Sequence, residues 1–178
     1  MASIYSTHDL SKVRERKIFF DANVLISIFW PNLNLNHWSK YYTSAFRYLL
    51  EQRNPIFIDF IIVSEVVNSV LRSEHRKYIF KYGELGYKKF RNRKEGIEIS
   101  NDVFAILKDN IFTQFEIVGK GFSKADIDNL LVVDTMDFND KAIAAICKEN
   151  NLVLLTNDYD FKGTDIDILT SNPAILHN

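Results

Sequence analysis

Asp21 stands where an apolar run stops and a helix-like one begins, in the stretch KIFFDANVLISIFWP from Lys17 to Pro31. Three further acids occupy comparable junctions. Asp158 follows the run LVLL (152–155) after Thr156 and Asn157, Asp140 opens the helix-patterned stretch before that run, and Glu65 lies early in the helix-patterned stretch after PIFI (55–58). If the apolar runs are strands of an open parallel sheet, the acids reach the edge formed by the strand carboxyl ends, where such sheets place reactive groups. Carboxylates gathered there repel one another and must take up protons unless a cation joins them. A hard divalent ion, Mg2+ or Mn2+, accepts oxygen donors, keeps several waters and commonly bridges protein carboxylates to a phosphate. The chemistry open to such a site is phosphodiester hydrolysis, with the ion activating water and steadying the leaving oxygen.

Each acid also has a plainer role. Asp21 suits a helix N-cap, and Asp140, three residues after Asp137, suits a capping partner. Glu65 could flank an amphipathic helix, and Asp158 could close an Asx turn, with Asp160 competing for its part. Their coincidence at one edge favours a shared site.

The elements that would position these acids are readable from periodicity. KIFF is expected as a buried strand and ANVLISIF as the helix after it; His37 to Gln52 repeats apolar residues at helical spacing. After PIFI, the residues Val63, Val66, Val67, Val70 and Leu71 mark one apolar helical stripe. A helix is expected from IEISNDVFAILKDN and a strand from FEIV (115–118), and Ser123 with Asp126 resembles a capping box. The helix DFNDKAIAAICKENN shows Phe138, Ala142, Ala145 and Ile146 on one face, and IDIL (166–169) offers a last strand. Residues 1–16 are polar and unpatterned, so a loosely held lead-in is expected there. Strands alternating with helices predict a three-layer α/β/α fold around a mainly parallel sheet.

Composition narrows the classes. A chain of 178 residues that is 47% hydrophobic is expected to form one domain, residues 1–178. No apolar run approaches the roughly 18 residues that span a bilayer, and no secretory leader pattern opens the chain, so a soluble cytoplasmic protein is expected. Cys147 is the only cysteine and the four histidines are scattered, which argues against zinc. Net charge is −1, yet from Arg72 to Lys94 nine basic side chains face two acids, while from Glu95 onward fifteen acids face six bases. This basic helical segment, residues 72–95, interleaves charge with Tyr78, Phe80, Tyr82, Tyr87 and Phe90 and carries Gly83 and Gly86 as breakers, the outline of a helical hairpin. Arg72, Arg76, Lys77, Lys88, Lys89, Arg91 and Arg93 are its candidate nucleic-acid contacts, because Lys and Arg displace counterions and aromatics stack on unpaired bases. A solvated hairpin whose aromatics form core is the equally weighted alternative.

FFDANVLI, SEVVNSV and DKAIAAICKENNLVLLTNDYDF together resemble the PIN-domain nucleases, among whose members are VapC-like toxins of toxin–antitoxin modules. The last segment carries most weight: Asp140, Ile143-Ala144-Ala145, an apolar strand, Thr156-Asn157-Asp158, then Asp160-Phe161. The resemblance implies a Mg2+- or Mn2+-dependent endoribonuclease in which Asp21, Glu65, Asp140 and Asp158 hold the ions, directly or through water. Asn23, Ser64, Thr156 and Asn157 would orient them. It also implies an RNA substrate, an antitoxin partner if the protein is a toxin, and a homodimer. Asn23 departs from the Thr or Ser common at that place in the family, and residues 65 to 140 form a longer span than a compact toxin has. Haloacid-dehalogenase-like phosphohydrolases also put an Asp after the first strand but want a second acid where Asn23 stands. A catalytically silent PIN-like RNA-binding or scaffold module is the alternative reading.

Overall fold

A computed structural model describes residues 2–33 and 38–177 of the chain. Six short strands form one sheet: β1 (Ile4–Ser6), β2 (Ile18–Phe20), β3 (Ile56–Ile58), β4 (Glu116–Ile117), β5 (Val153–Leu155) and β6 (Ile168–Thr170). Their order is β1-β6-β5-β2-β3-β4, and every pair is parallel. Strands β2, β3, β5 and β6 are buried along their whole length, as expected where helices cover both faces of a parallel sheet. The helices are α1 (Ala22–Phe29), α2 (Trp38–Glu51), α3 (Phe60–Tyr82), α4 (Tyr87–Arg91), α5 (Lys94–Ile106), α6 (Lys124–Leu130), α7 (Phe138–Glu149) and α8 (Pro173–Leu176). The three-layer architecture is the one the periodicity predicts. Among the described residues no helix is long and apolar enough to cross a membrane.

The chain winds outward from β2 through β3 to β4, then returns to lay β5 against the other side of β2. The gap between β2 and β5 is therefore the topological switch point, the crevice in which open parallel sheets bind ligands. Register pairs Phe20 with Leu155, so Asp21 and Thr156 emerge side by side. Beneath them Phe20 packs edge-on against Phe115 at 4.9 Å, and Phe46 stacks on Phe115 at 5.6 Å.

Three expectations need correction. The lead-in is structured: β1 pairs with β6, Leu10 and Val13 are buried, and Arg16 meets Asp167 at 2.8 Å. The buried face of α7 consists of Ala142, Ile143, Ile146 and Cys147, whereas Phe138 in the first turn is 47% exposed. The stripe on α3 buries Ile62, Val66, Val70 and Leu71, with Val63 and Val67 at its half-buried margin. Helix α2 is described from Trp38; His37, the expected first residue, lies outside the described residues.

The basic segment folds as a hairpin made of the distal half of α3 and the short α4, turned at Gly83, whose φ of 91° ends α3. Phe90, fully buried, packs on His75 at 5.1 Å and Tyr78 at 5.3 Å. Gly96 lets α5 pass against α4, since a Cβ there would sit 2.2 Å from the Phe90 carbonyl oxygen. In an ordinary helix interior Gly→Ala is stabilising by about 1 kcal/mol. Here the clash reverses the sign, and Gly96→Ala is expected to cost about 1–3 kcal/mol. Thermal denaturation will read this as a lower melting temperature; an unchanged or raised one would show that the α4–α5 approach is not tight.

Candidate active site

Asp21 ends β2 and is 4% exposed. Its side chain makes no capping bond to α1, so the simple N-cap role is not the one it plays. Instead Oδ2 accepts from the Thr156 hydroxyl at 2.5 Å and from the Asn23 amide nitrogen at 2.6 Å. Thr156 Oγ1 in turn accepts from the Asp158 backbone N–H at 2.9 Å, and the Asn157 N–H points to Asn23 Oδ1 at 3.4 Å. Three of the residues expected to orient the acids, Asn23, Thr156 and Asn157, thus form one network between the ends of β2 and β5. The fourth does not join it. Ser64 lies on α3 beside Glu65, but its hydroxyl takes the Asn68 amide at 3.3 Å.

Tyr42 extends the network. Its ring is buried in α2 and its hydroxyl lies 2.9 Å from Asn157 Oδ1 and 3.1 Å from the Thr156 carbonyl, while the Ser171 N–H donates to it. Asn172 closes the circuit by donating to the Asn157 carbonyl at 2.9 Å. Periodicity marks Tyr42 only as an apolar helix position; its polar tip carries no sequence signal of its own.

The other acids arrive on α3, α7 and the turn after β5. Asp59 caps α3 by accepting from the Ile62 N–H at 2.8 Å, and Glu65 lies further along the same helix. Asp137 caps α7 by accepting from the Asp140 N–H at 2.9 Å, so Asp140 is held by its backbone while its carboxylate stays out of a reciprocal capping box. Asp158 does make the Asx turn, accepting from the Asp160 N–H at 3.0 Å with one oxygen.

The charges sense one another. Burial, opposed by the Thr156 hydrogen bond and reinforced by the charges of Glu65 and Asp158, pushes Asp21 up to about 7. Asp140 is also pushed up to about 7, by burial and by the charges of Asp137, Asp158, Asp21 and Asp160. Glu65 is raised by burial first, then by Asp140, Asp137, Asp158 and Asp59. Among the described residues none of Asp21, Glu65, Asp140 and Asp158 forms a salt bridge. Lys141, the base next to Asp140, is drawn away to Asp134 at 3.0 Å. An all-oxygen, uncompensated donor set suits a hard divalent ion. The acids do not form a closed cage: among the described residues no three His, Cys, Asp or Glu side chains are gathered as a metal-holding group. An ion here would be held by one or two carboxylates and by water, the usual habit of Mg2+.

The basic candidates lie along the hairpin. Arg72 stacks over the Tyr87 ring at 5.2 Å, Arg91 lies 5.8 Å from the same ring, and Arg93 sits over Tyr78 at 5.7 Å. Tyr78 and Tyr87 therefore serve the hairpin's own packing, whereas Phe80 is 95% and Tyr82 63% exposed.

A parallel α/β/α sheet with acids placed after β2 and β5 at its switch point defines a class of protein, and the family follows from the sequence. The chain belongs to the PIN domain family, whose profile matches residues 18–167. The fold is similar to the crystal structure of FitAcB from Neisseria gonorrhoeae, at 17% identity over 85% of this chain and 96% of that one, with a TM-score of 0.53. It is likewise similar to VapBC2 from Rickettsia felis, solved bound to a DNA fragment from their promoter, at 18% identity over 86% and 98% of the two chains and a TM-score of 0.50. No curated protein matches the chain.

The raised carboxyls set a pH dependence. Folded Asp21 takes up its proton near pH 7 and the unfolded chain near 3.8, so between these values the folded state binds more protons. That stability is fully present below pH 3.8 and is lost as pH rises through 7. Each pH unit in the window is worth at most about 1.4 kcal/mol per group, less for the half-exposed Asp140. In chelator the melting temperature should therefore be lower at pH 8 than at pH 5.5, and Mn2+ should raise it more at pH 8. Curves indifferent to both would show that the acids do not interact.

Proposed function

We propose that the protein is a Mg2+- or Mn2+-dependent endoribonuclease that hydrolyses RNA phosphodiester bonds and acts as the toxin of a toxin–antitoxin module. The observation that carries this reading is the mutual charge influence of Asp21, Glu65, Asp140 and Asp158, none of which, among the described residues, is in a salt bridge. Membership of the PIN domain family supports it.

Bound there, a divalent ion would supply Lewis acidity to activate water and to neutralise charge on the phosphate. The chain's own residues do the rest. Asp21, Glu65, Asp140 and Asp158 would hold the ion, directly or through its waters. Thr156 and Asn23 fix the Asp21 carboxylate through the hydrogen bonds to Oδ2. Arg72, Arg76, Lys77, Lys88, Lys89, Arg91 and Arg93 belong to the hairpin at the far end of α3 and would offer counter-charges to the RNA backbone. An antitoxin would oppose the enzyme by carrying a cation into the same acidic crevice.

The lack of three converging ligands favours a second reading, a catalytically silent PIN-like module that binds RNA without cutting it. Cleavage of RNA in Mn2+ decides between them. The wild-type chain should cut and Asp140→Asn should lose at least about 100-fold in rate; equal rates for both, or no cutting by either, would remove the nuclease assignment.

A further inference from the structure

Beside Glu65 the surface opens into a groove of about 370 Å³ along the outer side of α3. Phe60, Ser64, Glu65, Asn68, Arg72 and, from the start of α7, Asn139 are among its lining residues. Phe60, Ser64, Asn68 and Arg72 recur every fourth residue, the spacing that sets side chains above one another on a helix. The groove thus runs from the acidic edge to the first residue of the basic hairpin, a span of about 18 Å at 1.5 Å per residue.

Its chemistry is mixed in a specific way. Phe60 is 81% exposed, unusual for a large apolar ring at the rim of an acidic crevice, and its exposure serves no core. Two more exposed rings stand beside the acids: Phe138, 47% exposed, two residues before Asp140, and Tyr159, 54% exposed, directly after Asp158. At the far end Arg72 is exposed and, among the described residues, in no salt bridge, with its guanidinium over the Tyr87 ring at 5.2 Å. Between the two, Asn68 and Asn139 present exposed amides. Flat rings stack on bases that are not paired, and a guanidinium takes a phosphate. A duplex keeps its bases stacked on each other and offers nothing to an isolated phenyl ring.

The geometry points to this groove as a binding site for a short unpaired stretch of RNA flanking the cut, with a base stacked on Phe60 and a backbone phosphate on Arg72. The site deepens the nuclease reading, on which its choice of substrate rests. It sets the direction in which the strand leaves the acidic edge, along α3 toward the hairpin.

Fluorescence anisotropy in EDTA, where no cut occurs, tests the site apart from the chemistry. The probes are a labelled 12-nucleotide RNA and the same RNA annealed to its complement. The wild-type chain should bind the single strand more tightly than the duplex. Phe60→Ala should weaken single-strand binding by roughly ten-fold, as loss of one stacked base does, and Phe60→Trp should restore it; the exposure of Phe60 means that truncation leaves the core untouched. Arg72→Ala should reduce the salt slope by about 0.7, the contribution of one phosphate on a single strand. Equal binding by wild type and Phe60→Ala, or a duplex bound as tightly as the strand, overturns the proposal. Failure of the nuclease reading looks different: RNA would stay intact in Mn2+ while single-strand binding still depended on Phe60.

Discussion

Like charges brought together at the mouth of a parallel sheet work against folding, and the acids stay there because their neighbours in sequence are anchored independently of them. Asp21 lies between buried Phe20 and Ala22, Glu65 beside buried Val66, Asp140 just before buried Ala142 and Ile143, and Asp158 close to buried Phe161. Burying one such large side chain is worth about 1.5–3 kcal/mol, so core packing outweighs the repulsion without any ion pair at the site. Two polar side chains bear on both strand ends: the Thr156 hydroxyl donates to Asp21 and accepts from the Asp158 amide, and the Asn23 amide donates to Asp21 and accepts from the Asn157 N–H. The position of Thr156 follows from the parallel register of β2 and β5, which is fixed by Phe20 and Leu155.

Charge is partitioned in space as it is in sequence. The acids after Glu95 reach the switch point through α7 and β5, and the bases between Arg72 and Lys94 are carried off along α3, which begins at the acidic edge and continues for 23 residues. One rigid helix therefore joins a region that attracts cations to a region that attracts phosphate. The hairpin has its own apolar support in His75, Tyr78 and Phe90, so its charges are presented from a packed unit.

Much of this was readable from residue pattern. KIFF, PIFI and LVLL are continuous apolar runs because their strands are buried on both faces, and the Ser123–Asp126 capping box forms as its spacing indicated. Other features were hidden for physical reasons. The strand Ile4–Ser6 is three residues long and gains its stability from β6, more than 160 residues away, which no local window can see. Phe138 fits the helical stripe of α7 by spacing, yet it falls in the first turn, beyond the reach of the sheet, and the buried face shifts to Ile143 and Cys147. The Tyr42 hydroxyl was invisible because periodicity weighs its ring alone. At the site, spacing could bring the acids to one edge but could not say that Ser64 would turn to Asn68, or that no three carboxylates would close on a single point.

The pairing of β1 with β6 has a bearing on how the chain is made. Ser3 donates its backbone N–H to Asp167, which also holds Arg16, so β1 depends on residues made more than 160 positions later. A growing chain can assemble β2, β3 and the helices between them early, since their contacts are closer in sequence. One margin of the sheet then waits unpaired until translation has passed β6.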